Sequence, residues 1–134
     1  MRMTFRFLPL LALAGTLGAC ASLPHGRSNP VVEAGALASA AEQVRRCYRS
    51  PRIPSHGREI VTHVRVNYAG GGTIVGVPIL LRQEGVTPGN RGYAAPMAEA
   101  AIASVLRCSP ITLPAPMRAD PWQIDYRFSL AAAV

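Results

Sequence analysis

Ile60-Val61-Thr62-His63-Val64-Arg65-Val66-Asn67-Tyr68 is the stretch on which the fold turns. Ile60, Thr62, Val64, Val66 and Tyr68 fall on one side of an extended chain and Val61, His63, Arg65 and Asn67 on the other. This period-two pattern marks a strand with one buried face. Ala69-Gly70-Gly71-Gly72 follows, where glycine permits the positive φ that a tight connection needs. Residues 73–81, rich in Val and Ile, are then expected to return as the second strand of a hairpin. Pro78 has no N–H to give a ladder, so that second strand lies at an edge or carries a bulge.

Before this hairpin, Asn29 reads as an N-cap and Pro30 as the first helical residue. Leu37, Ala40, Ala41, Val44, Cys47 and Tyr48 form its apolar stripe, and the helix ends before Pro51. Arg45, Arg46 and Arg49 occupy its last turns, where cations oppose the negative end of the helix dipole. After the hairpin, residues 84–92 contain Gly85, Pro88, Gly89 and Gly92 and read as a surface loop. A second helix is expected over residues 96–108, with Met97, Ala101, Val105 and Cys108 on one face and Ser109-Pro110 as its stop. A link through Pro114 and Pro116 leads to a last strand, in which Trp122, Ile124, Tyr126 and Phe128 alternate with Gln123, Asp125 and Arg127. The order helix, strand, strand, helix, strand gives an α+β fold, with two helices packed on a three-stranded antiparallel sheet.

The first twenty residues carry a different signal. Arg2 and Arg6 make a positive start, residues 7–17 are apolar, and Leu17-Gly18-Ala19-Cys20 closes the segment. Small residues at the two positions before a cysteine, with a branched apolar one before them, form a lipobox. Residues 1–19 thus read as a lipoprotein signal peptide and Cys20 as the lipidated residue. The apolar run is too short for the roughly 20 residues that a bilayer core requires. Two or three acyl chains on one cysteine hold a protein stably on a membrane without a spanning helix. Ala21 after the cysteine points to transfer to the outer membrane, facing the periplasm. Residues 20–29, with Pro24 and Gly26, form a tether whose nine residues after Cys20 reach at most about 30 Å. Residues 30–134 are of the size of one small domain.

Loss of Arg2 and Arg6 with the signal lowers the formal charge from +7 to +5, and the chain has no lysine. A basic exported domain meets acidic proteins, anionic headgroups or glycan phosphates; export makes nucleic acid an unsuitable partner. Arg45, Arg46, Arg49, Arg52 and Arg58 form a basic group, read either as a solvated face or as a patch for anionic lipid or glycan. No catalytic constellation emerges. His25, His56 and His63 fall in a tether, a loop and a strand, without metal-ligand spacing. No nucleophile elbow is present, and Asp120 and Asp125 flank Trp122 without a partner acid or base. The chain therefore reads as non-catalytic, without metal or cofactor.

Several separated motifs fall into one pattern. Val44-Arg45-Arg46-Cys47-Tyr48-Arg49 with Pro51, the hairpin with Gly76 and Pro78, Ala100-Ala101-Ile102, Leu106-Arg107-Cys108-Ser109-Pro110, Leu113-Pro114, and residues 122–128 together resemble the C-terminal domain of TolA-like proteins, within the wider TonB/TolA C-terminal group. The resemblance covers residues 40–130. It implies a disulfide between Cys47 and Cys108, since cysteines near the two helix ends pair in such domains. An oxidising compartment favours the same pairing, two buried thiols being the alternative. Closing a loop of about 60 residues stabilises by roughly 4 kcal/mol in the chain-entropy model.

TolA and TonB proteins also possess an inner-membrane helix and a long stalk coupled to a proton-driven motor. Neither is visible here, so the expectation is binding without energy transduction. The resemblance implies recognition of an envelope protein, as in a Tol-Pal-like system, by addition of an extended peptide to a sheet edge. Trp122, Gln123, Ile124, Asp125, Tyr126, Arg127 and Phe128 are the expected edge. The alternative is a structural envelope lipoprotein that meets anionic lipid or glycan through the arginine group.

Overall fold

The computed structural model describes residues 30–118 and 121–130. The signal, the tether with Cys20, the Asn29 cap and Asp120 lie outside the described residues. Helix α1 (Pro30–Cys47) opens on proline, carries Glu33 in its first turn and places Arg45 and Arg46 in its last. Strand β1 (Val61–Tyr68) leads to β2 (Ile79–Glu84), helix α2 (Ala94–Cys108) and β3 (Trp122–Phe128). Single 3-10 turns at Ser55–Gly57, Arg91–Tyr93 and Ala115–Met117 join them. The α+β architecture expected from the sequence is thus formed: two helices cover one face of a three-stranded antiparallel sheet, in the order β2-β1-β3.

The central strand behaves as its alternation dictates. Ile60, Thr62, Val64, Val66 and Tyr68 are all fully buried. From β3 they meet Ile124, Tyr126 and Phe128; from the helices, Ala36, Ala40 and Val44 of α1 and Ala101 and Val105 of α2 join the same core. Alanine at 36 and 40 keeps α1 close to the sheet, whereas Leu37, expected in the core, is partly exposed. The helix is therefore rotated so that its 36/40/44 line faces inward, and Leu37 sits on its flank. Helix α2 starts at Ala94, two residues before its expected position, and buries Met97, Ala98, Ala101, Ser104 and Val105. Ser104 meets the cost of its burial by donating to the Ala101 carbonyl at 2.6 Å.

The hairpin departs from expectation. Residues 73–81 do not form one strand: Ile74 makes an isolated bridge to Tyr68, and β2 begins only at Ile79, opposite Arg65. Gly76, Val77 and Pro78 loop out between them, as a residue lacking an N–H demands. A second shift at Leu81, between the pairs His63–Arg82 and Val64–Leu80, makes a bulge within β2 itself. The strand then extends to Glu84, into the segment read as loop. Gly72 has φ of 80°, its carbonyl accepts from Ile111 N–H at 2.9 Å, and a Cβ there would collide with the Ile111 carbonyl. The turn is thereby fixed against the chain that follows α2.

Two polar side chains close the remaining connections. Asn90, almost fully buried, accepts from Thr87 N–H at 2.7 Å and donates to the carbonyls of Gly85 (2.9 Å) and His56 (3.1 Å). Gln43 of α1 donates to Thr112 C=O at 3.0 Å and accepts from Thr112 N–H at 2.7 Å, occupying both backbone groups of one residue. Cys47 and Cys108 form a disulfide with a Cα–Cα distance of 5.7 Å, tying together the C-terminal ends of the two helices. Arg107 adds a bond to the Cys47 carbonyl at 2.9 Å.

Two glycines with similar backbone angles separate strain from collision. Gly76, at φ 74°, faces open space, so Gly76→Ala should cost only about 1 kcal/mol of left-handed strain. Gly72→Ala must in addition displace the Ile111 segment and should lower stability by at least about 2 kcal/mol in urea unfolding.

Candidate functional site

The sheet order leaves two edges, and they differ. On β2 the register is broken at Leu81 and at the Gly76–Pro78 loop-out, which are devices that discourage a further strand from pairing. β3 keeps one unbroken antiparallel register with β1, from Thr62 opposite Phe128 to Tyr68 opposite Trp122. A strand whose one side is fully laddered presents alternate N–H and C=O groups outward along its other side. The choice of residues 122–128 as an edge therefore agrees with the sheet order.

Each face of β3 is held. Inward, Ile124, Tyr126 and Phe128 lie in the core, and Phe128 stacks on Tyr48 with ring centroids 5.3 Å apart. The Tyr68 and Tyr126 hydroxyls meet at 3.1 Å in the interior. Burial, and then the neighbouring Tyr68 hydroxyl, push Tyr126 far above the ordinary tyrosine range, so the pair stays neutral. Outward, Arg65 makes a bidentate pair with Asp125, both contacts at 2.7 Å, and Gln123 donates to Asn67 at 2.9 Å. The Arg65 guanidinium holds the Asp125 carboxyl below its usual value, first by hydrogen bonding and also by charge. Trp122 donates its indole N–H to the Met117 carbonyl at 2.6 Å, fixing the start of the strand.

Beside this edge runs a groove of about 450 Å³, lined by Leu37, Ala38 and Ala41 of α1 and by Gln123, Ile124, Asp125 and Tyr126 of β3. It exists because α1 stands at the outer margin of the sheet and offers two alanines there. Its floor is apolar and its rim carries the outward polar groups of β3. An extended chain laid along β3 would direct every second side chain toward α1, where the groove receives it. Leu37, Ala38 and Ala41 were not singled out as binding residues from sequence. Leu37 and Ala41 belong to the apolar stripe of the sequence, whereas Ala38 carries no signal there.

The arginine group is less uniform than its spacing implies. Arg45 is bidentate on Glu42 at 2.7 Å and Arg46 approaches the same carboxylate at 3.5 Å. The two guanidinium groups lower the Glu42 pKa to about 2, the Arg45 hydrogen bond being the largest cause. Arg49, Arg52 and Arg58 are exposed and, among the described residues, take part in no ion pair. His56 stacks against Tyr93 at 5.4 Å, and His63 lies 3.1 Å from Glu84 on the open sheet face. Among the described residues there is no group of three metal-ligating side chains, and no helix is long and apolar enough to cross a membrane.

Comparison with protein-family models, with curated proteins and with solved structures found no match. The TolA-like resemblance accordingly rests on the motifs quoted above.

The depressed Asp125 pKa carries a definite sign. Its contribution to stability is complete above the unfolded-state value of about 4 and is lost as pH falls through the lower folded-state value. Because both side chains are more than a third exposed, Asp125→Asn should cost under about 1 kcal/mol at neutral pH. Acid unfolding curves of the variant should be flatter below about pH 4 than those of the parent.

Proposed function

We propose that this chain is a non-catalytic, lipid-anchored envelope protein that binds an extended peptide along the outer edge of β3. The observation that carries this reading is the coincidence of an unbroken edge strand with an apolar groove along it, between Gln123–Tyr126 and α1. Backbone hydrogen bonds to the edge supply affinity that is indifferent to sequence. The groove and the polar rim of Gln123 and Asp125 select side chains at alternate positions. The TolA-like motifs support the same mode and suggest an envelope protein, in a Tol-Pal-like setting, as partner. Cys20, acylated after removal of residues 1–19, holds the domain on the periplasmic side of the outer membrane.

The engagement of Arg45 and Arg46 with Glu42 weakens the rival in which the arginine group holds anionic lipid or glycan, since that patch then rests on Arg49, Arg52 and Arg58. The test places a photocrosslinking residue at Gln123 or, separately, at Arg49 and Arg52 in living cells. A discrete protein adduct from position 123 that persists at high salt is expected. Adducts to lipid or glycan from positions 49 and 52, with none from 123, would overturn the reading.

A further inference from the structure

Register and side-chain charge together decide what can lie along the edge of β3. Val75 donates its N–H to the Asn67 carbonyl, so Asn67 turns its backbone groups toward β2, and Tyr68, one residue on, turns its own toward β3. Through the unbroken register, Ile124, Tyr126 and Phe128 commit theirs to Val66, Val64 and Thr62. The N–H and C=O groups of Gln123, Asp125 and Arg127 therefore point out from the free edge. A strand added antiparallel, as every pair in this sheet is, places residues opposite these three by hydrogen bonding. Its alternate residues, opposite Ile124 and Tyr126, turn to the helix side.

On the face away from the helices, the charge along β3 is uneven. At Arg127 the row across the sheet reads Arg82, His63, Arg127. One carboxylate serves this row: Glu84 accepts from Arg82 at 2.9 Å and lies 3.1 Å from His63. It is held below the usual carboxylate value, first by the Arg82 hydrogen bond and also by the charge of Arg127. Arg127 itself is exposed and, among the described residues, takes part in no ion pair. In the next row Arg65 already occupies both oxygens of Asp125, and beyond it Gln123 is joined to Asn67. Position 127 thus offers an unanswered positive charge, position 125 a closed ion pair and position 123 an amide.

We infer that the peptide bound along β3 carries an acidic residue opposite Arg127, followed toward its C-terminus by an aliphatic, a small polar, a second aliphatic and a further polar residue. This rests on the strand-addition reading and names its ligand class. An antiparallel chain runs from residue 128 toward 122, so the acidic residue leads. Its carboxylate completes the row of Arg82, His63 and Arg127, whereas a lysine there adds a like charge to it. Opposite Asp125 a charged side chain of either sign finds both partners taken. The two aliphatic residues enter the groove, where Ala38 and Ala41 leave room beside Leu37. A second copy of β3 meets the charge requirement, with its Asp125 opposite Arg127, but its Tyr126 and Phe128 are buried in its own core and cannot fill the groove.

The test uses the full-length protein in detergent at low salt and a fluorescein-labelled peptide, Gly-Ser-Glu-Val-Thr-Val-Ser-Gly, followed by anisotropy and by amide exchange. The peptide is expected to bind and to slow exchange at Gln123, Asp125 and Arg127. Lysine in place of its glutamate should weaken binding by about fivefold, and Arg127→Glu should reverse the order of the two peptides. Equal affinity of both peptides for the parent protein, with the three amides slowed, would overturn the acidic requirement and leave strand addition standing. Tighter binding of the peptide with its central five residues reversed would overturn the antiparallel order. If neither peptide binds and no edge amide slows, both readings go. Slow exchange at the three amides without peptide, together with a dimer in sedimentation, would assign the edge to a second copy and overturn the inference as well.

Discussion

The unbroken pairing of β1 with β3 is the constraint from which the rest follows. It joins segments about 60 residues apart, with the second helix and its link spanning the distance between them. Once made, it fixes β1 as the central strand and commits its four inward residues, Thr62, Val64, Val66 and Tyr68, to burial. α1 must then cover what β3 adds, and it does so with Ala36, Ala40 and Val44, small enough to let the helix settle on the sheet. The disulfide, the Gln43–Thr112 pairing and the Gly72–Ile111 bond all secure the same return of the chain, the segment between α2 and β3.

Much of this was legible because it is periodic. The alternation in β1 and β3 and the helical stripes in α1 and α2 report burial directly, and burial fixes which faces meet. What escaped were features decided by other parts of the fold. β2 begins later than its sequence suggests, because Val and Ile at 73–81 have the composition of a strand, yet their register is broken by Gly76, Pro78 and the bulge at Leu81. Leu37 belongs to the apolar stripe yet is exposed, because a helical stripe does not reveal which of its flanks will overhang a sheet margin. Asn90, within an apparently plain loop, has partners at Gly85 and His56 that no local pattern announces.

The site shows the same division. That β3 would be an edge could be anticipated from its late position in the chain; that a groove would lie beside it depends on the lateral placement of α1. The ion pair between Arg65 and Asp125 could be foreseen only once the register set them opposite each other. The arginine group, conspicuous in the sequence, is divided in the fold: two of its members are turned to the helix's own Glu42.

Ala38 and Ala41 have a further consequence. They wall the groove but lie outside the 36/40/44 line that packs on the sheet, and Leu37 beside them is likewise outside it. Exchange of a side chain at Leu37 or Ala38 alters the depth of the groove without enlarging or shrinking the core, whereas Ala41 also packs against it. On the strand-addition reading proposed above, partner preference and foldability rest on neighbouring but distinct residues of one helix. On that reading, single substitutions at positions 37 and 38 change what the groove accepts while the scaffold stays intact.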